Sequence, residues 1–296
     1  MGQLAGIAAS LLWAVTSLLI SSAARQVGAA VVNRTRLFFA AVVLMAVHWA
    51  VLGQPLPLSA DPGRWGWLGM SGLVGLVLGD MCLFQAYILI GPRLGSLSMT
   101  LGPIISTLIA WLVLGETLPW TALLGIFITV AGVAWVVMER SNGQNGQAKI
   151  SPLGLLYALG AVLGQSVGTI LTRRGLEGDF STLSGVVIRI TVSAAILWVI
   201  ALFNGQARTT VKVLKAERRA LLNIFLVSLI GPTLGVWLSL VAVQLTPVGI
   251  ASTLTGLSPV FVLPLVWYFY KEKISWQTVF GTLGALVGVA LLFLGK

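Results

Sequence analysis

Asp80 has the most chemistry to explain, because it stands near the middle of an apolar stretch, LGMSGLVGLVLGDMCLFQAYILI, in which no other side chain is charged. An ionised carboxylate at that depth is costly unless it faces protein or a water-filled cavity. Facing a cavity, it would attract a substrate ammonium group or take up a proton during exchange. Paired inside the protein, it would be a structural lock. Tyr87, seven residues on, shares its helical face, whereas Gln85 lies on another.

Other polar residues recur in the apolar text. Trp13, Ser17 and Ser21 run along one side of the first stretch, and Gln165, Ser166 and Thr169 occupy the corresponding part of the sixth. Their hydroxyls, amide and indole N–H would receive the ammonium or carboxylate of a zwitterion, or equally tie neighbouring helices together. Trp237, Ser239 and Gln244 belong to the eighth stretch, with Trp237 a wall for a substrate side chain. Thr100 precedes Pro103, and Thr255 precedes Pro259. A proline inside a helix removes a donor and bends the chain, so Pro103 and Pro259 would be hinges or would free carbonyls for a substrate, or else mark static kinks. The substrate-binding set is therefore Asp80, Trp13, Ser17, Tyr87, Thr100, Gln165, Ser166, Trp237 and Thr255.

Arg36 and Arg189 read as scaffold residues that bond helix-end carbonyls or snorkel to lipid phosphate, with a direct substrate role as the lesser reading. One histidine, His48, and one cysteine, Cys82, supply no metal-ligand set and no intrachain disulfide. No cofactor is implied. The H-E-x-x-H and G-x-x-x-x-G-K-[ST] strings are absent, which argues against an enzyme and against direct ATP-driven pumping.

The elements that position these residues follow from composition. The chain has 296 residues, 57% hydrophobic and 9% charged, against about 25% charged in ordinary soluble domains. Only a membrane accommodates this, since a spanning helix takes about 20 apolar residues. Ten spans are expected, at 4–24, 33–52, 66–90, 94–114, 119–138, 152–172, 183–203, 220–243, 248–269 and 275–294. The first is too long, and too poor in preceding basic residues, for a signal peptide. The runs are apolar on every face and so do not alternate as barrel strands do. The net charge of +10 is scattered between apolar blocks, which fits lipid headgroups as partners and not nucleic acid.

An internal repeat organises the spans. A shift of 156 residues places Gly79 on Gly235, Pro103 on Pro259, Glu116 on Glu272, Trp120 on Trp276, Gly125 on Gly281 and Gly132 on Gly288; with other local offsets Arg25 meets Arg173 and Arg36 meets Arg189. The unit contains five helices, so the second copy starts on the opposite side of the membrane. The expected fold is an all-α polytopic membrane protein of ten transmembrane helices in two inverted five-helix repeats, the plan of many secondary transporters. The divisions fall at 1–140, a linker at 141–151, and 152–296. Glycines four apart, at 75 and 79, at 160, 164 and 168, at 231 and 235, and at 284 and 288, predict close helix crossings.

The duplicated segments LGPIISTLIAWLVLGETLPWTALLGIFITVAGV and LSPVFVLPLVWYFYKEKISWQTVFGTLGALVGV resemble the ten-helix branch of the drug/metabolite transporter superfamily, whose members carry two EamA-type repeats. Within it, Gly79 to Leu83 (GDMCL) is similar to the third helix of bacterial aromatic amino-acid exporters. The resemblance implies a secondary carrier in the bacterial inner membrane that exports amino acids by alternating access and functions as a monomer, with broader metabolite or drug export as the alternative. A channel or a non-transporting scaffold is the reading from a different class. Basic residues number four on the side of both termini and thirteen on the other, which places the termini outside; the resemblance implies termini in the cytoplasm.

Overall fold

The computed structural model describes residues 2–102, 104–105, 108–109, 120–141, 151–245, 254, 256–271 and 274–294. Among them most residues are helical and none is in a strand. Six helices are long and apolar enough to cross a membrane, and three shorter apolar helices accompany them. We label the helices α1 (Gly2–Val27), α2 (Ala29–Leu52), α3 (Pro62–Leu101), α4 (Trp120–Ser141), α5 (Pro152–Gly175), α6 (Thr182–Phe203), α7 (Gln206–Ala216), α8 (218–245), α9 (Ser258–Tyr270) and α10 (Trp276–Leu294). The protein is an all-α polytopic membrane protein. Residues 142–150 of the expected linker 141–151, and residues 103, 106–107 and 110–114 of the fourth expected span, lie outside the described residues.

Local sequence sets several boundaries. Gly53, in the left-handed conformation, closes α2 with its N–H on Trp49 O, as a glycine after a helix commonly does. Asp61 caps α3 by accepting from Gly63 N at 2.8 Å, and Pro62 fills the first turn, where its missing N–H costs nothing. Within α3, Gly91 adopts φ 81 just before Pro92, which divides the expected third and fourth spans. The polar stretch 204–219 is not merely a connection: 206–216 forms α7, which buries Thr210 and Leu214 and leaves Arg208, Lys212 and Lys215 exposed. Its basic residues occupy one face, so composition alone conceals the helix.

The repeats run in opposite directions where α4 meets α10. A Cβ on Gly132 would stand 2.6 Å from Gly281 O, and one on Gly288 would stand 2.6 Å from Gly125 O. Thr129 Oγ1 donates to Ala285 O at 3.2 Å between these contacts. As numbers rise in α4 they fall in α10, and each contact maps onto the other under the 156-residue shift. Equivalent helices packed antiparallel are what inversion of the second repeat requires.

The crossing of α3 with α5 is built the same way. A Cβ on Gly164 would stand 2.8 Å from Gly79 Cα, and one on Gly168 would stand 3.0 Å from Gly75 Cα. The equivalent crossing, α8 with α1, is wider: Gly231 and Gly235 face Thr16 and the Trp13 indole. Gly284 has open space around it, so only Gly288 of that pair packs closely. Gly164→Ala should therefore lower stability by about 1–3 kcal/mol through overpacking, whereas Gly284→Ala should be neutral or stabilising by up to about 1 kcal/mol. Thermal unfolding of the two variants in detergent separates them; equal losses would contradict this packing.

Candidate functional site

A local change of helix type aims Asp80. Residues Gly72–Gly79 form a π-helical segment, and the Asp80 N–H returns to Gly75 O five residues back. Asn33 Nδ2 of α2 donates to the Leu76 carbonyl of this segment at 2.8 Å, which gives a buried acceptor beside Asp80 a side-chain partner. The equivalent segment of α8, Leu229–Gly235, is also π-helical, with Val236 N–H on Gly231 O. There Pro232 offers no N–H to Ser228 O, which instead accepts from Thr233 Oγ1 at 2.9 Å. Such π segments inside helices are frequent at functional sites.

Asp80 is 6% exposed and holds three helices together. Its Oδ2 pairs with Arg36 Nη2 of α2. Its Oδ1 accepts from Gln165 Nε2 of α5 at 2.6 Å, and the same amide reaches Gly75 O at 3.3 Å. Gln165 gets there because it adjoins Gly164, where the two backbones nearly touch. Arg36, 4% exposed, also donates to Asn33 Oδ1 through Nε at 3.3 Å and Nη2 at 3.1 Å, and its guanidinium lies 4.8 Å over the Phe84 ring. Asn33 and Arg36 share a helix face at i and i+3. Arg189 of α6 stands within electrostatic reach of the same carboxylate.

Tyr87 is buried and stacks on Phe84 with ring centroids 6.3 Å apart. Its hydroxyl meets Ser96 Oγ at 3.5 Å, and its ring fills the space a Cβ on Gly95 would occupy. The remaining candidates are dispersed. Ser17 donates to Ala14 O at 2.7 Å and Thr100 to Leu97 O at 2.7 Å, each within its own stretch of chain. Ser21 reaches Tyr87 O at 3.4 Å and Ser166 reaches Gly102 O at 3.0 Å. Thr169 is exposed and bonds Gln165 O. Trp13 packs on α8. Trp237 is 60% exposed and lines a separate groove of about 810 Å³ with Leu44, Val186 and Pro232.

Three expectations change. Arg36 does not snorkel: it is a buried partner of Asp80, because α2 lies directly against the π segment. Arg34, 5% exposed, also lies inside α2, so neither arginine counts as a loop charge. Pro259 is buried in the first turn of α9, beginning that helix instead of kinking it. Pro103 and Thr255 lie outside the described residues. His48 is buried, with Nδ1 on Gln54 O and Nε2 on Ser184 Oγ, and so ties α2 to the start of α6. Gly164–Gly168 reads GQSVG, which matches the spacing of a nucleophile elbow, yet it lies mid-helix and not on the required strand-to-helix turn. Among the described residues no group of His, Cys, Asp and Glu forms a metal site.

The sequence is matched by the model of the EamA-like transporter family over residues 1–138 and again over 152–294. The chain belongs to this family. Membership makes it a membrane transporter of two repeats. A solved structure described only as "Crystal structure of protein" is 18% identical over 99% of this chain and 96% of that one, with a TM-score of 0.65, and shares the fold. No curated protein matches.

In this EamA-family chain, Asn33, Arg36 and Phe84 complete a centre of which the sequence singled out Asp80 and Gln165. The available signal was the occurrence of Arg36 and Arg189 at equivalent places in apolar spans. Removing Arg36 strips buried Asp80 Oδ2 of its donor, so Arg36→Gln should cost about 1–3 kcal/mol. The double variant Arg36→Gln with Asp80→Asn should recover much of that loss. Unfolding midpoints of the three proteins in one detergent test this; a double variant as unstable as the sum of the singles would contradict it.

Proposed function

We propose that this member of the EamA-like family is a secondary carrier that exports amino acids, aromatic ones among them, across a bacterial inner membrane by alternating access. The observation that carries the reading is the charged centre at Asp80, where a helix of the second repeat, α5, meets α2 and α3 of the first. Intramembrane charges in transporters mark solute and ion pathways, and inverted repeats that rock about a central site expose it to each side in turn. Here the rocking units are 1–140 and 152–296, joined by 141–151, and the chain works as a monomer.

The similarity of GDMCL to the third helix of aromatic amino-acid exporters supports the substrate. Trp13, Ser17, Tyr87, Thr100, Gln165, Ser166, Trp237 and Thr255 are the proposed contacts beside Asp80. Both Asp80 oxygens already accept hydrogen bonds, so its part is to hold the centre and to exchange partners as the repeats move, more than to capture an ammonium group directly. Pro103 and the turn before Pro259 supply the hinges.

The experiment is counterflow in vesicles containing the purified chain. Saturable, trans-stimulated uptake of an aromatic amino acid is expected, with Asp80→Asn slower by about tenfold, which corresponds to about 1.4 kcal/mol on the rate-limiting step. Counterflow of another metabolite with none of any amino acid would overturn the substrate and leave the broader exporter. Flux that neither saturates nor responds to trans solute would indicate a channel.

A further inference from the structure

Arg189 is the charged residue of the centre that the packing leaves without a task. It lies in the interior of α6, partly exposed, and its guanidinium rests on α3: a Cβ on Gly75 would stand 2.7 Å from its Nη2, and one on Gly72 would stand 3.4 Å from its Cγ. Its repeat mate Arg36 is saturated by Asp80, Asn33 and the Phe84 ring. The Asp80 carboxylate within its reach is likewise taken, by Arg36 on one oxygen and Gln165 on the other. Among the described residues no hydrogen bond to the Arg189 guanidinium is present, and its Nε is buried without a partner. The centre thus sets two guanidiniums against one carboxylate and carries one uncompensated positive charge inside the membrane.

Such a charge is costly in a low-dielectric bundle unless an anion neutralises it when the site is in use. A guanidinium presents a planar fork of donors that matches a carboxylate with two parallel bonds. Glycine at 75 lets the guanidinium lie against the α3 backbone, with the Gln165 side-chain oxygen beside it. We propose that Arg189 is the anchor for a carboxylate on the transported solute, so that the centre recognises the acid end of a zwitterion and not its amine. The inference rests on the carrier reading and specifies the substrate class of that same site.

Equilibrium dialysis of the purified full-length chain tests it with matched pairs: L-phenylalanine against L-phenylalaninamide, and 3-phenylpropionate against 3-phenylpropionamide. The acids should bind roughly tenfold or more tightly than the amides, a difference of about 1.4 kcal/mol. Arg189→Gln should abolish that preference, and Arg189→Lys should retain part of it. Amides that bind as well as the acids, binding of neither, or a preference that survives in Arg189→Gln would overturn the proposal. The wild-type comparison and Arg189→Lys keep the test decisive should Arg189→Gln fail to fold. Absence of amino-acid counterflow with the acid preference intact would sink amino-acid export and leave the carboxylate anchor standing.

Discussion

A carboxylate buried in a membrane bundle must be neutralised and hydrogen-bonded, and much of this architecture follows from that constraint on Asp80. Desolvating each ion costs several kcal/mol, which is repaid only when geometry is good and the remaining lone pairs and protons are satisfied. Arg36 supplies the charge from α2, Gln165 supplies the second oxygen's donor from α5, and Asn33 orients Arg36 while bonding the Leu76 carbonyl of the π segment. The Gln165 contact depends on the glycine crossing that lets the α3 and α5 backbones nearly touch. Backbone geometry and side-chain electrostatics are one device here.

The two repeats share a scaffold and differ in charge. Both third helices of the repeats carry a π segment at the same place, one associated with glycines and an Asn from a neighbouring helix, the other with a proline and its adjoining threonine. The arginine is present twice, at 36 and 189, whereas the acid is present once, with Val236 at the equivalent position. Symmetry therefore accounts for the frame and for the antiparallel contact of α4 with α10. Asymmetry concentrates at the centre, where a symmetric frame carrying a symmetric charge set would have no preferred solute orientation.

Much of this was legible before any coordinates. The shared Pro, Glu, Trp and Gly positions, together with an odd number of spans per unit, implied inversion, and the glycine spacings marked α3, α5, α8 and α10 as closely packed helices. Asp80 and Gln165 stood out because polar side chains are expensive in lipid. What stayed hidden was pairing: Arg36 and Asp80 are 44 residues apart, and no periodicity reveals which distant helices touch. Arg36 read as a snorkelling residue because it lies near a span's start, yet residues 32–37 of that span are buried by its neighbours. Helix α7 escaped because its polar composition resembles a loop, and Pro259 because a proline that starts a helix and one that bends it read alike. Trp237 illustrates the same limit, since adjacency to Val236 in sequence places it on a different face.

The most direct measurement of whether Asp80 couples the two repeats is a double-mutant cycle between residues of different repeats, Asp80→Ala and Gln165→Ala, read from unfolding of the full chain in detergent. A shared buried hydrogen bond predicts a coupling energy above about 1 kcal/mol, so that the double variant loses distinctly less stability than the two single losses together. Losses that add to within about 0.5 kcal/mol would mean that Gln165 and Asp80 do not act on one another, and the charged centre would not join the two repeats.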